Sequence, residues 1–458
     1  MAEKQRFIQQ AAQKAADAAH FARLQFNLGR YQQALHRGKS RWQQLEQARR
    51  IAEARKQEAL AQLPELLETF ERRFTANGGE VRWARTAEEA RRIVIRLMKE
   101  EGARTVVKGK SMVSEELHLN ETLEAAGCEV WETDLGEFIV QLAGEKPYHI
   151  VTPAMHKSKE DVAALFARKL GLPENLTPQQ LTMAARRILR RRFRTADAGI
   201  TGANFIVPDV GGILLLENEG NIRLSTALPP LHIAIVGIEK VIPRLHDLAL
   251  LLPLLATYGT GQRITNYNTL LTGPRRAGEK GGPRRMVVIL LDNGRSTLYH
   301  TRPQSDALRC IRCGACLAVC PVYQTVGGHT YGTAYSGPIG SVISPFYEGF
   351  CDHAHISHAS SLCGACTDIC PVRIPLHELL LENRHRAAHT CATPLPERLA
   401  WRLWQWLMRH PEWLERVPHA ARRLSLRLVG RMGWQPERAP LEPAPASFRR
   451  WWKKRRPS

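Results

Sequence analysis

The stretch CIRCGACLAVCP, Cys310 to Pro321, decides the fold of the last third of the chain. Four cysteines in it follow the spacing C-x2-C-x2-C-x3-C: Cys310, Cys313, Cys316 and Cys320. The stretch CGACTDICP repeats the end of this spacing with Cys363, Cys366 and Cys370. Thiolates at intervals of three on a glycine-bearing loop can converge on one iron–sulfur cube, and the last cysteine of each run reaches another cube. A zinc site more often uses two separated C-x2-C pairs. The two runs therefore predict iron–sulfur clusters.

The bulk composition excludes several classes of protein. A chain of 458 residues is long enough for two or three domains, and a hydrophobic content of 44% excludes wholesale disorder. The formal net charge is +21, and residues 381–458 alone hold 17 Arg and Lys against 6 Glu. Nucleic-acid-binding proteins more often carry their charge on a recognisable module, and none is present here, so we expect no nucleic-acid partner. The basic tail instead indicates a solvated face, an acidic partner or an anionic membrane surface.

The cysteines and the distribution of apolar residues indicate a compartment. Cysteines that bind metal must stay reduced, which predicts a reducing environment. The first residues, MAEKQRFIQQAAQKAADAAHF, contain no apolar run of the signal-peptide type. No window approaches the about 18–20 uncharged apolar residues of a membrane-spanning helix. We therefore expect a cytoplasmic protein, with the tail as a peripheral contact to the inner face of the membrane.

Four regions follow one another along the chain. Residues 1–70 have apolar residues at three- and four-residue steps, which predicts long N-terminal helices. Residues 71–300 alternate β-branched runs with helical ones, which predicts an α/β domain with a mostly parallel sheet. Residues 301–390 hold both cysteine runs. Residues 391–458 form a basic tail that we expect to be helical, and this tail carries seven of the ten tryptophans.

Within the α/β region the predicted strands are bounded by Gly- and Pro-rich turns. They are EVRWA, TVVKG, CEVWET, YHIVTP, ANFIVPD, GGILLLEN, LHIAIVGI and MVVILLD. Helices are predicted over residues 87–101, 114–127 and 135–143, and Ser114 is the expected N-cap of the second.

Two polar stretches in this region allow more than a structural interpretation. KGKSMVSEE, residues 108–116, would join Lys108, Lys110, Ser111 and Ser114 to a helix N-terminus, which suits an anion. It lacks the glycine spacing of a P-loop, and an ordinary capped turn is the alternative. ENEGNIRLST, residues 217–226, follows a buried strand, and ligands bind at strand ends in α/β sheets. A polar hairpin is the alternative there.

These stretches, followed by these cysteines, resemble the lactate utilization protein B family, the iron–sulfur subunit of a bacterial L-lactate oxidising system. The resemblance covers roughly residues 70–385. The matching stretches are KGKSMVSEELHLNETLEAAGCEVWETDLGEFIVQL, GANFIVPDVGGILLLENEGNIRLSTALPPLHIAIVGIEKVIP, CIRCGACLAVCPVYQTVGGHTYG and SSLCGACTDICPVRIPLHELL. It implies a LUD-type α/β domain similar to sugar-phosphate isomerases and CoA transferases, followed by an α-helical ferredoxin-like segment with two 4Fe-4S clusters. It further implies partner subunits in a complex that converts L-lactate to pyruvate.

The ferredoxin pattern carried over to this sequence implies two ligand sets. The first is Cys310, Cys313, Cys316 and Cys370, and the second contains Cys320, Cys363 and Cys366. The position expected for the fourth ligand of the second cluster holds Ser360, which departs from a plain two-cluster ferredoxin. Three alternatives stay open: a 4Fe-4S cluster with Ser360 or another non-cysteine group, recruitment of Cys351, or a 3Fe-4S cluster. The histidines of DHAHISH, residues 352–358, are more typical of a surface loop than of ligands.

The leading hypothesis is an electron-transfer subunit that passes electrons from L-lactate through two clusters to a downstream acceptor. In that case the cysteines carry the function and no catalytic residue is assigned, so whether the chain is itself an enzyme stays open. One alternative is that the α/β domain binds and oxidises a 2-hydroxy acid such as lactate or glycolate, through Glu217, Glu219 or Lys110. Another is that the clusters only stabilise the fold.

Overall fold

Nine strands form two sheets in the computed structural model of the protein, which describes residues 2–392, 395–416, 418, 420–426 and 442–455. The strands are β1 (Glu80–Ala84), β2 (Thr105–Lys108), β3 (Glu129–Glu132), β4 (Ala198–Thr201), β5 (Phe205–Val207), β6 (Gly212–Glu217), β7 (Leu231–Gly237), β8 (Tyr267–Leu271) and β9 (Arg285–Leu291). The chain divides into two units, residues 1–390 and 391–458, and both sheets lie in the first.

The larger sheet has the strand order β1-β9-β7-β4-β2-β3, and all of its pairs are parallel. Its central strand β7 reads LHIAIVG and is buried along its whole length. Ile233 and Ile235 belong to the hydrophobic core on one face, and Ala234 and Val236 belong to the core on the other. Because helices cover both faces of a parallel sheet, its strands are apolar throughout rather than alternating. The mostly parallel α/β fold expected from the sequence is confirmed.

The smaller sheet is antiparallel, in the order β5-β6-β8. The helices that connect the strands of the α/β part are Ala87–Glu100, Met112–Glu116, Leu119–Ala125, Leu135–Ala143, Lys159–Leu170, Pro178–Thr195, Asn221–Ala227 and Leu248–Thr260, and the helix Arg295–His300 follows the last strand. The helix Asn221–Ala227 lies so close to β4 that a Cβ on Gly199 would be 1.8 Å from the carbonyl oxygen of Ser225. Only glycine fits at that position.

Four N-terminal helices, Ala2–Ala16, Ala18–Lys39, Leu45–Ala61 and Leu63–Ala76, precede the first strand. They confirm the predicted helical region and pack partly on the cysteine-rich segment. Arg49, which is 9% exposed, donates hydrogen bonds to the backbone oxygens of Asp368 and Cys370. The N-terminal helices therefore hold the segment that carries the second cysteine run.

The cysteine-rich segment is mostly helical. Its helices are Ala315–Val319, Pro321–Val326, Gly337–Glu348, Phe350–His353, Ala365–Asp368 and Leu376–Thr390. The second unit contains the helices Leu395–Arg409, Pro411–Arg416 and Phe448–Arg455. The first of these exposes Trp401, Trp404 and Trp406. None of the helices among the described residues combines the length and the hydropathy needed to cross a membrane.

Local predictions failed at a few positions. YHIVTP forms turns and bends rather than a strand, and β4 and β8 had no prediction. The helix predicted over residues 114–127 is two helices, Met112–Glu116 and Leu119–Ala125, and its N-cap is Ser111 rather than Ser114. The break falls at His118, whose φ of 48° is left-handed and cannot continue a right-handed helix.

Candidate iron–sulfur centres and the adjoining cavity

The first cysteine loop wraps around a small cavity. Cys310 ends the 3-10 helix Gln304–Arg309, and Gly314, with a φ of 79°, begins the helix Ala315–Val319. The cavity lies inside the loop, and four cysteines line it: Cys310, Cys313, Cys316 and Cys370. Much of the remaining lining is aliphatic, including Ile150, Ile339 and Ile374. The structure thus brings the fourth thiol of this group from the second run.

Burial has the largest effect on the protonation of these thiols. It raises the pKa of Cys313 and Cys316, and it raises that of Cys370 to about 11. A negative charge on Cys310 raises all three pKa values further. Without a cation the thiols therefore keep their protons, and iron that binds them must displace those protons.

Backbone amides oppose part of this effect. The N–H groups of Ile374 and Val372 bond to the sulfur of Cys370, and that of Ala315 bonds to Cys313, which lowers the pKa of each thiol. Four thiols in an apolar cavity, with N–H donors aimed at their sulfurs, fit an iron–sulfur cube. Cys310, Cys313, Cys316 and Cys370 are the residues that would hold it.

The other three cysteines of the two runs form a second group. Burial raises the pKa of Cys366 to about 12 and also raises that of Cys320, and a charge on Cys363 adds to both shifts. Cys363 itself is exposed, and bonds from the Ala365 N–H and the Ser361 side chain lower its pKa. Cys316 lies in the helix Ala315–Val319 and Cys320 directly follows that helix, so the two groups are adjacent. The second group also fits an iron–sulfur cluster, and it is the one nearer to solvent.

The two cysteine loops repeat one another's backbone. Arg312 and Leu362 each lie directly before a cysteine, and their φ angles are both positive, at 60° and 57°. The glycines directly after those cysteines, Gly314 and Gly364, have φ angles of 79° and 83°. The Arg312 N–H donates to Cys310 Sγ at 3.4 Å, and the Leu362 N–H donates to Ser360 Oγ at 3.1 Å. Ser360 Oγ therefore takes in the second loop the place that the Cys310 sulfur has in the first.

The other groups considered for the second cluster lie in separate elements. Cys351 is in the helix Phe350–His353 and is disulfide-bonded, so its sulfur is not a free thiolate. His353 and His355 both bond to backbone oxygens of their own segment. The structure favours neither Cys351 nor these histidines over Ser360 as the fourth group.

A buried network of charges joins the α/β part to the first cysteine loop. Arg295 has no exposed side-chain surface, and its guanidinium bonds to both carboxylate oxygens of Glu116 at 2.8 and 2.9 Å and to Glu239 at 2.7 Å. The Tyr335 hydroxyl donates to Glu116 at 2.8 Å, and Arg312 Nη2 lies 3.3 Å from Glu239. Burial opposes the ionisation of Glu239, but the nearby cations outweigh it and lower its pKa to about 2.

In the first polar stretch, residues 108–116, some side chains have a structural role and others line a cavity. Lys108 is fully buried and lies 2.7 Å from Glu132 and 2.8 Å from Ser114 Oγ, so it is not available to an external anion. The Ser111 side chain accepts from the Ser114 N–H as the helix cap. Lys110 and Ser111 do line a large cavity. Lys108 is therefore wrong as a site residue because three carboxylates surround and neutralise it.

The second polar stretch, residues 217–226, is the end of a strand followed by a helix. The hairpin alternative is wrong, because Asn221–Ala227 is helical. Glu217 accepts from the N–H groups of Ile222 and Arg223 and so occupies the start of that helix. Glu219 is exposed and, with Glu217, lines the same large cavity as Lys110.

This large cavity lies outside the carboxyl ends of β2, β4 and β7 and is open to solvent. Residues that the sequence did not point to also line it, among them Lys240, Asn204, Tyr335 and Arg312. The predicted cluster ligand Cys313 lines it as well. Burial and the charge of Arg312 lower the pKa of Lys240 to about 8. Arg312 lies within the cysteine motif, but no local pattern indicates which way its side chain turns.

Comparisons with known proteins match the α/β part and the cysteine-rich segment to two different families. Residues 67–291 match the LUD domain family, and residues 306–374 match the 4Fe-4S dicluster domain family. Lactate utilization protein B of Shouchella clausii is 47% identical over 356 residues, which cover 78% of this chain and 75% of that protein. Its counterpart in Bacillus subtilis is 45% identical over 357 residues, which cover 78% and 74%.

One solved structure, a DUF162 family protein from Deinococcus radiodurans, matches 50% of this chain and 98% of its own, at 16% identity. The TM-score of 0.28 is too low to inform the fold.

Proposed function

This chain belongs to the lactate utilization protein B family, and we propose that it transfers electrons from L-lactate oxidation through two 4Fe-4S clusters to a downstream acceptor. The observation that carries the proposal is the pair of adjacent cysteine groups, one enclosed and one ending at the exposed Cys363. A bound iron–sulfur cluster supplies one-electron oxidation and reduction. The chain's own residues hold the sulfurs, exclude water from the first group and donate backbone N–H bonds to the thiolates.

Ser360 is the proposed fourth group at the second cluster. Its hydroxyl has the hydrogen bond that the Cys310 sulfur has in the first loop, which supports a position next to the iron. Other subunits of a lactate-oxidising complex are the proposed partners, and the exposed Cys363 is where we expect the acceptor to approach.

The tail is the proposed contact to a partner subunit or to an anionic membrane. The helix Leu395–Arg409 exposes three tryptophans next to arginines, a combination typical of such surfaces. If residues 440–458 are deleted and both co-purification and membrane association persist, the terminal part of this idea is wrong.

The test of electron transfer compares two cysteine variants. Cys313→Ser removes a thiol that lines the first cavity, whereas Cys128→Ser removes a half-buried thiol in the α/β core. In the complex, Cys313→Ser should lose the electron paramagnetic resonance (EPR) signal of one cluster and all lactate-dependent reduction, while its circular dichroism stays native. Cys128→Ser should keep both. Normal turnover by the Cys313→Ser complex would refute the proposal.

A second candidate function is oxidation of a 2-hydroxy acid within this chain. The large cavity favours it, because Lys110 and Glu219 line the same space as Cys313. The two candidates differ in one measurement: lactate added to the isolated, cluster-loaded chain should bleach its visible absorbance only if oxidation takes place here.

A further inference from the structure

The cluster-facing end of the large cavity is rich in buried cations. Lys240 is 7% exposed, and among residues 2–392 its Nζ makes no hydrogen bond or ion pair. The Arg312 side chain is 9% exposed, and its Nη1 has no partner. Both residues line the cavity that Cys313 also lines, and both lie near Cys310. Among the described residues, Lys240 Nζ and Arg312 Nη1 are cationic donors that make no hydrogen bond, and such donors are suited to an anion.

The local carboxylates are already engaged. Arg295 holds Glu116 through two hydrogen bonds and Glu239 through a third. The other carboxylate oxygen of Glu239 accepts a hydrogen bond from Arg312 Nη2 at 3.3 Å. Lys240 therefore feels the charge of Glu239, which two arginines already bind, and makes no hydrogen bond to any carboxylate among residues 2–392. Thiolates at the neighbouring cluster would attract these cations. They would not accept hydrogen bonds from the donors that line the cavity.

The cavity lining also contains carboxylates. Asp134, Glu217 and Glu219 line it together with Lys110, and Glu219 is exposed. Aliphatic side chains, including Ile150, Leu215 and Leu255, line the cavity as well. A cavity with apolar walls and a few convergent polar groups is the usual form of a small-molecule site. The three carboxylates in the lining disfavour ligands with several negative charges, because like charges repel.

We propose that this cavity binds a small monocarboxylic acid, with its carboxylate on Lys240 and Arg312 beside Cys313. The proposal concerns binding alone and involves no electron transfer. It rests on the proposed function only for the expectation that the acid is L-lactate or its oxidation product, since the position of the site follows from the cations.

The test measures the binding of L-lactate and pyruvate to the cluster-loaded chain by isothermal titration calorimetry. Lactamide, which lacks the charge, and inorganic phosphate, which carries more of it, are the comparison ligands. We expect both monocarboxylates to bind more tightly than either comparison ligand. If no monocarboxylate binds, or if phosphate binds more tightly, the proposal is wrong.

Two lysine variants provide the matched comparison. Lys240→Gln should weaken lactate binding by at least about tenfold, because a charged hydrogen bond is lost. Lys56 is also buried and also near Cys310, but it bonds to the backbone oxygens of Glu239 and Val241 and does not line the cavity. Lys56→Gln should therefore leave affinity within about threefold, and Lys240→Arg should restore most of it. Equal weakening by Lys240→Gln and Lys56→Gln would refute the assignment.

A spectroscopic measurement on the wild-type protein is independent of how the variants fold. Lactate should change the EPR spectrum of the reduced first cluster, because Cys313 lines the same cavity, and lactamide should not. An unchanged spectrum at a saturating lactate concentration refutes the site. If lactate binds but does not reduce the clusters in the complex, the proposed function is refuted and the proposed binding site is not. If lactate reduces the clusters but does not bind to this chain, the binding site is refuted and the proposed function is not.

Discussion

Replacing Arg295 by methionine should be among the most destabilising single changes in this protein. The arginine has no exposed side-chain surface, and it makes three hydrogen bonds to Glu116 and Glu239, whose side chains are 0% and 1% exposed. Removing one partner of a buried ion pair leaves the other charge uncompensated, which costs about 3–5 kcal/mol. We expect Arg295→Met to lower the free energy of unfolding by about that amount.

Arg285→Met is the matched control. Arg285 also bonds to three carboxylates, Glu80, Glu100 and Glu101, but its side chain is 22% exposed and theirs are 29–44% exposed. Water can solvate those carboxylates once the arginine is gone, so the cost should be about 1 kcal/mol. Urea denaturation followed by far-ultraviolet circular dichroism measures both variants, and iron content verifies cluster loading. If Arg295→Met costs no more than Arg285→Met, the reasoning is wrong.

The effect of Arg295→Met should also depend on pH. In the native protein Arg295, Arg312 and Lys240 outweigh burial and lower the pKa of Glu239 to about 2, so the ionised carboxylate stabilises the fold above its ordinary pKa of about 4.5. Without Arg295 that pKa rises, and protonation relieves the buried charge. The difference between variant and wild type should therefore be largest near pH 7 and should shrink below about pH 5. A difference that grows on acidification would contradict this.

Three further predictions concern single residues. Ser360→Cys should keep the iron content and change the EPR signal of the second cluster, whereas Ser360→Ala should lower the iron content; identical spectra for all three proteins would exclude Ser360 as a ligand. Burial lowers the pKa of His232 to about 3, so it binds a proton only on unfolding, and stability should fall by about 1.4 kcal/mol per pH unit below about pH 6.5. His232→Gln should remove that part of the slope, as measured by urea denaturation at several pH values. Gly199→Ala would bring a Cβ against the Ser225 oxygen and should lower the melting temperature strongly, whereas Gly29→Ala, a helical position with open space, should raise it slightly.

Local chemistry explains which parts of the fold could be predicted. The N-terminal helices follow from apolar spacing, and strands such as β7 and β9 follow from uninterrupted apolar runs. YHIVTP failed because a short β-branched run has the same composition in a strand and in a turn. The strand β8 reads YNTLL, which is partly polar and partly exposed. It therefore lacks the apolar run that marks the central strands.

The sequence by itself determined the iron–sulfur chemistry, because ligand spacing is a property of a few consecutive residues. It also identified position 360 by counting, although only the repeated backbone showed that the Ser360 hydroxyl corresponds to the Cys310 sulfur. The tertiary structure alone decided that Lys108 is neutralised among buried carboxylates. It alone placed Lys240 and Arg312 together at one end of a cavity. These groups come from distant parts of the chain, and they meet because neighbouring parallel strands end at one edge of the sheet, where the first cysteine loop covers them.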